Sequence, residues 1–228
     1  MRRIGISVVM VAVALTAGAA TARSGSASKL WVEGYGCWNT YSMTDVNRQI
    51  SEVNRDLSDA SRSIRLDKIR NGSGLGIRAG TDLSRVVLGV GYERYFAASE
   101  AGDARGTPQL KVPANAFYGL AEVKPPGSRL AGVRLGMAVG VVVLAPVSRV
   151  VEASPYAPPQ ELTGTGPLFE IYATGEWWAT PQLALIGSAG YRVAKVDKPE
   201  IREMLVSDLA VDYGGLQVHA GLKAALFK

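Results

Sequence analysis

The sequence predicts an all-β protein: an eight-stranded antiparallel up-and-down transmembrane β-barrel, with an amphipathic helix inserted between strands 1 and 2. Three observations lead there. First, residues 129–143 read RLAGVRLGMAVGVVV, in which Ala131, Val133, Leu135, Met137, Val139, Val141 and Val143 form one apolar row. The alternate row is Gly132, Arg134, Gly136, Ala138, Gly140 and Val142, small residues around one charge. A half-buried soluble strand sets its apolar row against a mostly polar one. Lipid outside and a narrow barrel interior instead call for apolar residues on one row and small or charged residues on the other. Second, further segments along the chain repeat the period of two. Third, their connections alternate long and short, as in barrels with short turns at one end and long loops at the other.

The competing reading of 130–147 is a transmembrane helix, because Gly132, Gly136 and Gly140 spell overlapping GxxxG motifs. Arg134 inside such a span would cost about 2.5–3.5 kcal/mol. The run of three valines from Val141 favours a strand, and the other alternating segments are too polar to be spanning helices.

Residues 1–22, MRRIGISVVMVAVALTAGAATA, combine Arg2 and Arg3, an apolar run from Ile4 and the small-residue site Ala20-Thr21-Ala22. This is the pattern of a cleaved secretory signal peptide. A leader, 23–29, follows, and 30–227 reads as one barrel domain, a length that all-β barrels use. Loss of Arg2 and Arg3 removes two charges from the formal +5, leaving +3 with no Lys/Arg tract. No nucleic-acid partner is expected. Cys37 alone cannot form an internal disulfide and His219 alone excludes a multi-histidine site, so no metal site and no cofactor are read from the sequence.

Taken in order, Leu30 to Tyr41 alternates as strand one, with Leu30, Val32, Gly34, Gly36 and Trp38 against Glu33, Tyr35, Cys37 and Asn39. Then the period changes. Residues 44–64 divide into TDVNRQI, SEVNRDL and SDASRSI, copies of one heptad. The spacing predicts a helix over 44–66 whose seam is Val46, Ile50, Val53, Leu57, Ala60 and Ile64. Asp45/Arg48, Glu52/Arg55 and Asp59/Arg62 are i,i+3 ion pairs on it, Ser42 or Thr44 caps its start, and Asn71-Gly72 ends it. The seam docks on the rest of the domain or serves self-association or a protein partner.

From Gly74 the period of two returns. Leu75, Ile77, Ala79 and Thr81 alternate with Gly74, Gly76, Arg78 and Gly80, and after a short link at Asp82-Leu83-Ser84, Val86 to Phe96 is strand three. Val112 to Val123 is strand four, its register open; Pro125-Pro126-Gly127-Ser128 is a tight turn into strand five. Strand six is Leu168 to Ala179, strand seven Leu183 to Val196 and strand eight Leu216 to Phe227. The connections 98–109, 147–166 and 197–213 read as polar or Pro-rich loops.

On the faces opposite the apolar rows lie Glu33, Glu93, Glu170 and Glu176 with Arg78, Arg134, Arg192 and Lys223. A base moved to the lipid side at mid-depth would cost about 2–4 kcal/mol, so these charges belong inside. An eight-stranded barrel is just wide enough for side chains, and four acids with four bases are expected to interlock and fill it, in a structural or a gating role. Ser188 and His219 fall at similar depth on neighbouring strands, but no G-x-S-x-G surrounds the serine and no catalytic residue is assigned. Trp31, Trp177 and Phe227 at one end, with Trp38, Tyr41, Tyr92 and Phe96 at the other, fit two interfacial girdles.

With this rhythm the chain resembles the small eight-stranded bacterial outer-membrane barrels: the OmpA transmembrane domain and the OmpX and OmpW groups. The resemblance is one of pattern across 30–227, without a diagnostic motif. It implies a Gram-negative outer-membrane location, outer-membrane lipid and the barrel assembly machinery as partners, and long loops facing outward. The expected function is a structural or surface-interaction role rather than an enzyme; the alternatives are a narrow, porin-like channel for ions or small solutes, a soluble periplasmic lipocalin-like binding barrel and, last, a lipid-modifying enzyme of the outer membrane built on Ser188 and His219. The chain departs from the pattern in its helical heptads and in Lys228, which follows Phe227 where such barrels usually end in an aromatic residue.

Overall fold

The computed structural model describes residues 29–101, 109–125, 132–145, 149–151, 160–201, 204–205 and 209–226. The signal peptide, most of the leader and Phe227 lie outside the described residues. Eight long strands follow the predicted alternation: β1 (Lys29–Thr40), β2 (Asn71–Leu83), β3 (Val86–Phe96), β4 (Ala114–Val123), β5 (Val133–Leu144), β6 (Thr165–Trp178), β7 (Leu183–Asp197) and β8 (Gly215–Ala225). Each pairs antiparallel with its sequence neighbour, and β1 pairs with β8 from Trp31↔Ala225 to Asn39↔Gln217. The sheet therefore closes on itself and leaves no edge over this length. Helix α1 (Thr44–Asp59) lies between β1 and β2.

The apolar rows face outward. Leu75, Ile77, Leu135, Met137, Val139, Ile171, Leu216 and Leu222 are each more than half exposed. The opposite rows are buried, including the fourth strand's Ala114, Ala116, Tyr118, Leu120 and Glu122, which fixes the register left open by the sequence. At the end carrying both described termini, the turn between β2 and β3 is tight: Leu83 pairs with Val86 across Ser84-Arg85, and Ser84 takes the left-handed φ of 71° that such a two-residue turn favours.

The described residues of the long connections hold more strand than the sequence suggests. Within the connections read as loops, short strands form a second sheet: Ala98–Glu100, Gln109–Lys111, Arg149–Val151, Gln160–Thr163, Glu200–Ile201 and Met204–Leu205 pair in that order. Ala210–Asp212 pairs with the end of β7. At the long-loop end the inward residues turn apolar, and Val112, Ala114, Val142, Leu144, Val196 and Val211 join one hydrophobic core with the helix.

Helix α1 corrects the sequence reading at both ends. It starts at Met43, in a left-handed conformation with no side-chain cap, rather than at a Ser42 or Thr44 cap. It stops at Asp59, short of residue 66. Ser61 takes φ 54°, and the amides of Ser61 and Arg62 return to the carbonyls of Ser58 and Leu57, both at 2.9 Å, a Schellman closure. The third heptad thus leaves the helix after Ser58 and Asp59; Ala60 is exposed and Ile64 half-buried beyond the helix end. Two asparagines at equivalent heptad positions hold the segment that runs back along the helix. Asn47 and Asn54 each clamp one returning residue, donating Nδ2–H to the carbonyls of Ile69 and Leu66 (2.9 Å each) and accepting their amides (2.7 Å each). Leu66 and Ile69 are thereby buried beside the seam residues Val46 and Ile50. The seam is covered within the chain rather than left for another copy: Val46, Ile50 and Leu57 are buried, Val53 half-buried. Asp45 keeps its ion pair with Arg48 (2.5 Å) and also accepts the Ala210 amide (3.2 Å), tying α1 to the barrel end.

Candidate functional site

The lumen collects the chain's buried chemistry, and strand register builds it. Four large inward rings lie opposite a glycine on an adjacent strand: Tyr35↔Gly76, Tyr118↔Gly91, Tyr172↔Gly136 and Trp31↔Gly80. The rings lie flat across those glycines. A Cβ at Gly76 would come 2.2 Å from the Tyr35 ring, and at Gly91 2.4 Å from that of Tyr118. The small inward residues of the sequence are therefore seats for aromatic rings crossing a narrow interior.

Arg78 stands in the middle. Its guanidinium lies 4.8, 5.6 and 5.1 Å from the ring centres of Tyr35, Tyr118 and Tyr172, a three-sided aromatic cage. It donates to Tyr118 Oη at 2.9 Å, which in turn is 2.6 Å from Tyr35 Oη. Its carboxylate neighbours are looser, Glu33 at 3.7 Å and Glu170 at 4.0 Å.

Below the cage, toward the short turns, the contacts tighten. Arg134 reaches Glu176 (2.9 Å), Asp82 (3.3 Å) and Glu122 (3.4 Å). Lys223 pairs with Glu176, Lys124 with Asp82 (3.0 Å), and Tyr172 donates to Glu122 at 3.1 Å. Lys223 also sits 4.3 Å from the ring of Trp31, which lines the lumen and is not the interfacial residue the sequence suggested. Above the cage, Arg192 is 3.5 Å from Glu93 and donates to Gln217 Oε1 (2.6 Å) and the Tyr213 carbonyl (3.1 and 3.2 Å). Tyr213 and Tyr41, beyond the strand ends, stack edge-on under the helix, and burial holds both phenols above the usual tyrosine range.

The structure places Glu33, Arg78, Glu93, Arg134, Glu170, Glu176, Arg192 and Lys223 in one buried network. It adds Asp82 and Glu122, which sequence reading missed. Asp82 was hidden because it stands next to a turn, and Glu122 because both rows of its strand are largely apolar. The rim aromatics differ too: Trp38, Phe96 and Trp177 face outward, whereas Tyr41 is buried under the helix. Ser188 lies directly opposite His219, but the imidazole engages other groups: Arg78 donates to Nδ1 (3.3 Å), and Nε2 is 3.9 Å from Glu93. No serine–histidine couple forms.

No family model matches the chain, and no curated protein matches it. Solved structures do. The chain is similar to Neisserial surface protein A, at 11% identity and a TM-score of 0.48, over 87% of this chain and 99% of that one. It is similar to the outer membrane protein OprG of Pseudomonas aeruginosa, at 12% identity and 0.48, over 89% and 97%. It is also similar to Ail of Yersinia pestis, solved with the heparin analogue sucrose octasulfate, at 10% identity and 0.45, over 86% and 97%. At such identities the likeness concerns strand order, which the ladder pairings above establish by themselves.

Proposed function

We propose that the chain is an integral outer-membrane barrel with a structural or surface-interaction role, its lumen closed by its own side chains. The observation that carries this reading is the outer wall. All eight strands present exposed apolar residues, from Trp38 on β1 and Leu75 on β2 round to Leu185 on β7 and Leu222 on β8. Soluble proteins rarely expose contiguous apolar patches beyond about 600 Å², and a lipocalin-like barrel would reverse the pattern, with a ligand cavity inside and a wetter exterior. Here the ionisable groups point inward and interlock. In this orientation the termini and short turns face the periplasm, the long-loop end with α1 faces outward, and the surface offered to partners is the exposed face of α1 and the ladder around it. Outer-membrane lipid surrounds the wall, and the assembly machinery inserts it. The runner-up is a narrow channel, favoured by the loose contacts of Arg78.

Planar-bilayer recording separates the two. The closed reading expects no stable unitary conductance from the wild-type barrel; a selective conductance abolished by Arg134→Met would establish the channel. Orientation is tested in intact cells by an impermeant thiol reagent on a Cys37→Ser protein carrying Arg55→Cys on the exposed side of α1. Labelling without permeabilisation is expected, and labelling only after permeabilisation would reverse the topology.

A further inference from the structure

Above the Arg78 cage three potential metal ligands converge from three strands. Cys37 on β1 and His219 on β8 are direct cross-strand partners. Glu93 comes from β3, on the far side of β2, and reaches them because β2 presents glycines there: Gly74 pairs with Cys37 and Gly76 with Glu93. A Cβ at Gly74 would stand 2.6 Å from Cys37 Sγ, so any side chain on β2 would occupy the meeting point. One ligand atom from each of the three residues lies within 4.8 Å of the others, and all three residues are buried. Cys37 Sγ is 2.9 Å from Glu93 Oε1, and His219 Nε2 is 3.9 Å from Glu93 Oε2. A tetrahedral zinc with bonds of about 2.0–2.3 Å sets its ligands roughly 3.3–3.7 Å apart, so the three atoms need shifts below about an ångström.

The independent sign of a missing ligand is His219 itself. It is 2% exposed, and its Nε2 has no hydrogen-bond partner although it points at the carboxylate. Asn39 Oδ1, from the residue whose amide donates to Cys37 Sγ at 3.3 Å, is likewise buried without a partner. We infer that Cys37, Glu93 and His219 form a binding site for a borderline-soft divalent cation of the zinc class, held inside the barrel.

Two arginines stand close, and both are accommodated. Arg192 keeps its 3.5 Å ion pair with Glu93 Oε1, while Gln217 and the Tyr213 carbonyl take its other hydrogen bonds and hold the guanidinium to that side of the carboxylate. Arg78 donates to His219 Nδ1, which leaves the imidazole proton on Nε2. Binding releases the Cys37 thiol proton, moves the imidazole proton from Nε2 to Nδ1, and frees Arg78 to close on Glu33 and Glu170. Those two carboxylates each hold a buried Oε1 with no hydrogen bond, so the movement supplies what they lack. Charge agrees. Among the described residues six lumen carboxylates (Glu33, Asp82, Glu93, Glu122, Glu170, Glu176) face five cations (Arg78, Lys124, Arg134, Arg192, Lys223). A divalent ion exchanged for one thiol proton adds one positive charge to that formal count.

Tag-free protein, refolded in detergent and verified by its heat-dependent gel mobility, is titrated with Co2+ and then Zn2+. The expected result is one metal per barrel, with a thiolate-to-cobalt charge-transfer band that Zn2+ abolishes. Cys37→Ser loses that band, and His219→Gln weakens binding by about 10–100-fold or more. Because Cys37 and His219 are the chain's only cysteine and histidine, the single imidazole resonance of the wild type also reads the site if a variant fails to fold; it is expected to shift with one equivalent of Zn2+. An unmoved resonance with no retained metal, or unchanged binding in a folded Cys37→Ser barrel, overturns the site.

Discussion

The lower lumen holds its charges in contact, whereas the middle holds them apart. Around Arg134 the ion-pair distances run from 2.9 to 3.4 Å. Around Arg78 they are 3.7 and 4.0 Å, and the guanidinium is held by three rings instead. Both arginines are fully enclosed by the same barrel, so burial alone does not set the difference. Register does. The middle of the barrel pairs tyrosines with glycines, and rings crossing the lumen keep the carboxylates at a distance. The lower end carries the acids Asp82, Glu122 and Glu176 on three strands within reach of one base. One storey works as an ionic clasp, the other as a packed aromatic cage.

Substitutions separate the two storeys. Arg134→Met roughly keeps volume but removes the cation that three carboxylates share, leaving Lys124 on Asp82 and Lys223 on Glu176 as the remaining ion pairs there. It should cost the most, about 3–5 kcal/mol, measured by urea unfolding of the barrel in lipid vesicles. Gly91→Ala should act through the cage, pushing the Tyr118 ring off its seat for about 1–3 kcal/mol in the same assay. Arg78→Met removes a charge whose ion pairs are long and replaces cation–ring contacts with apolar ones. Its cost should be about 1–2 kcal/mol, clearly below that of Arg134→Met; equal costs would erase the distinction between the storeys.

The smallest effect on the barrel lies outside the lumen. Asn47→Ala or Asn54→Ala deletes one clamp on the returning segment, at about 1–2 kcal/mol of local stability. Faster hydrogen exchange at Ile69 for the first and Leu66 for the second is the readout, with urea unfolding of the strands unchanged.

What was legible in the sequence is what a closed barrel with an apolar outer wall enforces. Each of Leu135, Met137 and Val139 must face away from Arg134, so period-two reading recovers the strands and the inward charges. Where the wall rises past the apolar belt, that enforcement ends. Ala114 and Ala116 point inward yet are apolar, because the helix and its clamped return segment fill that end with a hydrophobic core. The fourth strand therefore reads apolar on both rows and conceals Glu122. The helix end was illegible for another reason: the third heptad keeps the pattern, but Ser61 stands where Asn47 and Asn54 stand in the first two. There the chain turns back to meet those asparagines. The convergence of Cys37, Glu93 and His219 depends on two glycines of an intervening strand, a relation visible only once register is known.

A membrane-spanning barrel requires lipid as the solvent of its outer wall. Nitroxide labels placed one at a time at Leu135, Met137 and Val139, and at the intervening Ala138, in a Cys37→Ser barrel reconstituted in vesicles, test this through collision with oxygen and with a water-soluble nickel chelate. The three outward sites should collide readily with oxygen and hardly with nickel, and Ala138 should be shielded from both. Ready collision of the outward sites with the nickel chelate would put water against the wall and contradict a membrane-spanning barrel.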